Sequence, residues 1–129
     1  NDLQVMKKED GNVDDVEKIT HYPTIKDLLL HTAGFSYNFL ADPVGKEYDQ
    51  LHLFNSDTTT LEEEIKILAK APLLFQPNTS WRYSVSMDVL ARIIEVVLGD
   101  PFWAGPDGIV RASTIHRCVH SCLTLPAMC

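Results

Sequence analysis

From Ser86 to Leu98 most side chains are apolar, and the polar set Asp88, Arg92 and Glu95 makes one narrow stripe. Met87, Leu90, Ala91, Ile94, Val97 and Leu98 recur at helical spacing on one face, and Val89, Ile93 and Val96 widen it. Asp88 stands four residues before Arg92, a spacing that lets the two charges meet on a helix. Ser84 or Ser86 can cap the start, Asp88 suits the positive end, and Gly99 followed by Pro101 stops the helix. A helix this apolar demands neighbours on most sides. Just upstream, Pro77 presets φ for a turn and Asn78 tolerates positive φ. The chain is therefore expected to turn, to expose a short corner at Trp81-Arg82-Tyr83, and then to enter a buried rod. That reading pins Tyr83 at the mouth of a packed helical body.

Two further helices are predicted from their start signals. Thr24 with Asp27 three residues on is a capping-box pattern, followed by Leu28, Leu29 and Leu30; this helix is expected over 24–33, ended by Gly34. Thr60 with Glu63 repeats the pattern, with Leu61, Ile65, Leu68 and Ala69 as its buried stripe, over 60–70. Glu62, Glu63 and Glu64 read as a solvated helix start, with Lys66 and Lys70 at the far end. Residues 35–59 are expected as a long loop, because Pro43 and Gly45 interrupt any period. Its aromatic residues Tyr37, Phe39 and Tyr48 read as ordinary packing or as pocket lining. Residues 1–22 are polar and read as loop, with a turn at Asp10-Gly11-Asn12.

Composition excludes several function classes. A hydrophobic fraction of 45% is that of a globular chain, and 129 residues suffice for one domain with a core. The net charge of −7 argues against nucleic acid or an anionic membrane as partner. No apolar run is long enough to suggest a transmembrane segment, and no signal peptide opens the chain. Asp10-x-Asn12-x-Asp14 resembles half a calcium loop, but Asp15 stands where glycine belongs and His21 where glutamate belongs. Calcium is rejected there, and no cofactor is expected. Asn78-Thr79-Ser80 is a glycosylation sequon, with meaning only in a secreted eukaryotic setting.

Several motifs in order carry a resemblance. They are Trp81-x-Tyr83-Ser84, Ser86-x-Asp88-Val89-Leu90, Ile93-Ile94-Glu95 and Gly99-x-Pro101-Phe102, preceded by Pro23-Thr24-Ile25-Lys26-Asp27-Leu28 and His31-Thr32-Ala33-Gly34-Phe35. Together, over about residues 20–102, they resemble the serine β-lactamase-related family, which includes class C β-lactamases, penicillin-binding DD-peptidases and related esterases. The resemblance implies a mainly α chain: the helical part of a β-lactamase/transpeptidase-like α/β fold whose flanking sheet is missing. It also implies acyl transfer through an acyl-enzyme on a small-molecule ester, amide or β-lactam substrate.

In that family the nucleophile and its partner form a Ser-x-x-Lys motif. Of the seven serines here (Ser36, Ser56, Ser80, Ser84, Ser86, Ser113 and Ser121), none has lysine three positions later. Gly34-x-Ser36 is similar to a nucleophile elbow, but Asn38 stands where that elbow requires glycine. What matches is the family's Tyr-x-Asn element, and the resemblance assigns Tyr83 the catalytic proton transfer between serine and leaving group. A free phenol titrates near 10, so such a base needs a neighbouring cation; lowering its pKa by ~3 units takes about 4 kcal/mol. The third position departs: Val85 replaces asparagine. That loses an amide suited to a peptide or β-lactam and makes an ester-cleaving or inactive relative more plausible. His31, near the end of its helix, is read as a hydrogen-bonded structural histidine rather than a catalytic one.

After Phe102 the character changes. Residues 1–102 are expected as a partial family domain, and 103–129 as an atypical tail, frame-shifted, spliced or truncated. His116, Cys118, His120 and Cys122 alternate as on a strand face, without the paired spacing of a zinc finger, and no metal site is assigned. Three cysteines, all late, make no disulfide framework. The expected activity of the chain alone is nil, and the alternative function is a non-catalytic binding or scaffold module of the same family.

Overall fold

The computed structural model describes residues 3–54 and 59–99. Among them are two strands, β1 (Gln4–Met6) and β2 (Val16–Lys18), and four helices, α1 (Ile25–Leu29), α2 (Pro43–Gln50), α3 (Leu61–Leu68) and α4 (Ser86–Leu98). The chain divides into two compact units, Asn1–Ile93 and Ile94–Cys129. Of the second unit, the described residues are the end of α4 and Gly99, whose φ of 71° closes the helix. Ser56, Ser113, Ser121, Pro101, Phe102 and the alternating His116–Cys122 set lie outside the described residues.

The stretch 1–22, expected as loop, holds a hairpin instead. β1 and β2 pair antiparallel, with Gln4 opposite Lys18 and Met6 opposite Val16. The turn at Gly11 lies between them, its N–H donating to the Lys8 carbonyl at 3.0 Å. Leu73 joins β1 in parallel: its N–H donates to Gln4 O at 2.8 Å, and Met6 N–H donates to Leu73 O at 2.9 Å. Val5 and Met6 are thereby buried. Strands of three residues leave almost no alternation to detect, and the partner that completes this pairing is far away in sequence.

Residues 43–50, also expected as loop, form α2. Pro43 does not break it; it starts it, because the first helical turn has no use for that N–H. Asp42 is the N-cap and accepts from Gly45 N–H at 2.8 Å. Gly45 is there for space: a Cβ would sit 2.5 Å from Leu40 O and 2.6 Å from Tyr37 O. Val44 and Tyr48, four residues apart, are fully buried on the inner face. They meet Val5, Leu53, Leu68, Leu73 and Leu74 in one core. Each such aliphatic side chain contributes about 1.5–3 kcal/mol on leaving water.

Both predicted capping boxes form, Thr24 with Asp27 and Thr60 with Glu63. The acidic start of α3 is not uniformly solvated, however. Glu62 pairs with Lys66 at 2.5 Å and with Arg92 at 2.9 Å, but Glu64 is buried. Its carboxylate accepts the Phe54 N–H at 3.0 Å and the Thr59 hydroxyl, fastening the preceding loop to the helix.

α4 forms as predicted, but its inward face differs. Val85 N–H donates to Ser36 O at 3.1 Å, and Val85 is fully buried. Val89 and Ile93 follow one and two turns later and pack against the same core. That fixes the rotation, so Met87, Val97 and Leu98, expected inside, are exposed, as is Val96, while Glu95 of the polar stripe is buried. Among the described residues, no helix is long and apolar enough to cross a membrane.

Candidate active site

α1 stops earlier than the glycine signal implied. His31, with φ 57°, takes the left-handed position after the helix, three residues before Gly34. Its N–H donates to Leu28 O at 3.2 Å and Thr32 N–H donates to Asp27 O at 2.8 Å, the paired bonds of a Schellman closure. The chain then runs alongside the segment that leads into α4. Leu74 N–H donates to Gly34 O at 2.7 Å, Asn78 N–H to Thr32 O at 2.8 Å, and Arg82 N–H to His31 O at 3.0 Å. Asn78 has the positive φ its type allows, 64°.

This ladder sets Tyr83 at the surface. Tyr83 is 52% exposed, while Ser84, Val85 and Ser86 after it are buried. Its ring is walled by His31, with centroids 5.0 Å apart, and by Tyr37, at 5.4 Å. Phe39 stacks on Tyr37 at 4.8 Å, and Trp81 meets His31 edge-on at 6.4 Å. Tyr37 and Phe39 thus extend one aromatic row, whereas Tyr48 belongs to the core.

Polar groups hold the frame behind that row. His31 Nδ1 and Ser84 Oγ share a hydrogen bond of 3.3 Å, and Ser84 Oγ and Ser86 Oγ share one of 2.7 Å. Ser36 is fully buried and its hydroxyl donates to Asp42 at 2.7 Å, which leaves it no role as a nucleophile. The Arg82 guanidinium approaches that same Asp42 carboxylate at 4.0 Å. The Tyr37 hydroxyl donates to Asp88 at 3.3 Å. Burial, then the adjacent Asp88 charge, pushes the Tyr37 phenol up to about 12. Burial also pushes the Asp88 carboxyl up, against the opposing effect of the Tyr37 hydrogen bond. Asp42 as a tie between three segments, and His31 as a helix terminator, had no signal in sequence: both depend on partners brought in by the fold.

The arrangement is one half-exposed phenol on a rigid aromatic and hydrogen-bonded mount. A model of the Beta-lactamase family matches residues 14–103. Esterase EstB of Burkholderia gladioli is 38% identical over 90 residues, which are 67% of this chain and 23% of that protein. Lovastatin esterase of Penicillium rubens is 37% identical over 76 residues, 59% of this chain and 18% of the relative. Among solved structures, EstCE1, a hydrolase with promiscuous acyltransferase activity, superposes with a TM-score of 0.62 at 29% identity, covering 91% of this chain and 28% of the other. The chain thus spans about a quarter or less of the curated relatives it matches. With the family match running unbroken from before α1 to beyond α4, this chain belongs to the Beta-lactamase family.

Proposed function

We propose that this chain is the helical portion of a serine hydrolase that cleaves small-molecule esters through an acyl-enzyme, with Tyr83 as its proton-relay tyrosine. The observation that carries the reading is the half-exposed Tyr83 ring, walled by His31 and Tyr37 at the entry to α4. The serine and its lysine would come from sequence outside this chain. The phenolate takes the serine proton as the serine oxygen attacks the ester carbonyl carbon; the protonated phenol then returns that proton to the departing alkoxide as the C–O bond breaks. Water repeats the cycle on the acyl-enzyme and releases the acid. Residues 1–102 form the family portion in this reading, and 103–129 a tail foreign to it.

Esters are favoured over β-lactams by Val85. Its side chain is fully buried and its N–H is committed to Ser36 O, so the third motif position offers no amide to a substrate. The test is a chimera in which this chain replaces the stretch it shares with EstB. The folded chimera is expected to hydrolyse p-nitrophenyl butyrate, while the 129-residue chain alone stays inert and unlabelled by a fluorophosphonate serine probe. Labelling of the chain alone would overturn the account. A second reading, a non-catalytic binding or scaffold module, is favoured by Val85 standing where the family's motif has asparagine. It predicts a folded chimera with no hydrolysis.

A further inference from the structure

We infer that His31 is the positioning residue for Tyr83, an inference that rests on the reading of Tyr83 as the proton relay. His31 meets four consecutive residues of the segment entering α4. Its ring meets Trp81 edge-on at 6.4 Å and lies tilted against Tyr83 at 5.0 Å. Its carbonyl accepts the Arg82 N–H at 3.0 Å, and its Nδ1 shares a hydrogen bond with Ser84 at 3.3 Å. Ser84 is in turn bonded to the buried Ser86, so the imidazole is anchored to the first residue of α4.

The backbone sharpens the case. At φ 57° His31 occupies the helix-end position where glycine carries no steric penalty and a residue with a Cβ does. Closing α1 does not require a ring. Among the described residues, the ring's aromatic contacts and its side-chain hydrogen bond fall on Trp81, Tyr83 and Ser84, and the Tyr83 ring meets Tyr37 as well. His31 therefore fixes the direction of the phenol, and its carbonyl fixes the height of the backbone that carries it. A misplacement of ~1 Å at a reacting group can lower turnover by about 10²-fold, which is the scale of effect such a mount prevents.

The test is aromatic NMR of the full 129-residue chain with His31→Gly and His31→Asn. Both variants suit positive φ, so the end of α1 survives; asparagine also keeps a group able to reach Ser84, while both lose the ring. The expected result in each is a several-fold weaker nuclear Overhauser contact between the Tyr37 and Tyr83 rings and a more mobile Tyr83 side chain, with core Tyr48 unchanged. An undiminished Tyr37–Tyr83 contact in both variants overturns the inference. So does a Tyr48 that loosens as much as Tyr83, since His31 would then be holding the whole body. Catalysis by Tyr83 is read separately, from Tyr83→Phe in the EstB chimera, so failure of the relay leaves the positioning result intact and failure of positioning leaves the relay intact.

Discussion

The Tyr37 hydroxyl donates to the Asp88 carboxylate across 51 positions of sequence, joining the loop after α1 to the first turn of α4. Burial raises the Tyr37 phenol most and the Asp88 charge second, followed by the hydrogen bond to Asp88 and the neighbouring Tyr83. Asp88→Asn removes the second and keeps an acceptor. The Tyr37 titration midpoint is expected to fall from about 12 but to stay above the free-phenol value of 10.0, because burial remains. NMR titration of the labelled phenol carbon reads this directly. A midpoint that does not fall would mean that the Asp88 charge does not reach Tyr37.

Val85→Asn restores the amide of the family motif, but at a position with no exposure. Loss of a buried valine and burial of an unmatched amide should lower stability by about 2–4 kcal/mol. Urea denaturation measures it. An unchanged midpoint would mean that the third motif position opens toward a cleft, and would revive amide substrates.

Gly45→Ala in α2 sets two effects against each other. Alanine in a helix ordinarily gains about 1 kcal/mol over glycine. Here the new Cβ would meet two backbone oxygens, at 2.5 and 2.6 Å, and neither can swing away. The net expectation is a loss of about 1–3 kcal/mol, read from the same denaturation curves.

Asp27 accepts from the Thr24 hydroxyl at 2.6 Å, the Thr24 N–H at 2.9 Å and the Thr32 hydroxyl at 3.2 Å. These bonds, the Thr24 hydroxyl first, hold its carboxyl below the ordinary aspartate value of 3.8. The folded state binds that proton less tightly than the unfolded state, so the stabilisation is complete above 3.8 and drains as the pH falls through the lowered folded value. Asp27→Asn should cost about 1 kcal/mol at neutral pH and flatten this part of the acid limb. A thermal-melt series from pH 6 downward would show two parallel curves if the carboxylate were not responsible.

What the sequence made legible follows from the range of the forces involved. Capping boxes at Thr24 and Thr60, the turn at Asn78 and the start of α4 are set by residues within a few positions of one another, and all form as read. The β1–β2 hairpin depends on Leu73, and α2 depends on a gap between carbonyls that only a glycine fits, so neither announces itself locally. The rotation of α4 is not legible locally, because hydrophobicity says which residues can be buried, while the Val85–Ser36 bond says which are. Sequence placed Tyr83 at an exposed corner, and the structure has it exposed. The imidazole and second phenol beside it come from a different segment and required coordinates.

In the proposed reading the Tyr83 hydroxyl moves the proton, and Tyr83→Phe removes that hydroxyl with the ring and its packing kept. In the EstB chimera, kcat for p-nitrophenyl butyrate is predicted to fall by about 10²–10⁴-fold, while Tyr37→Phe, which removes a hydroxyl one ring away, changes it little. A Tyr83→Phe chimera that turns over at the parental rate would contradict the account.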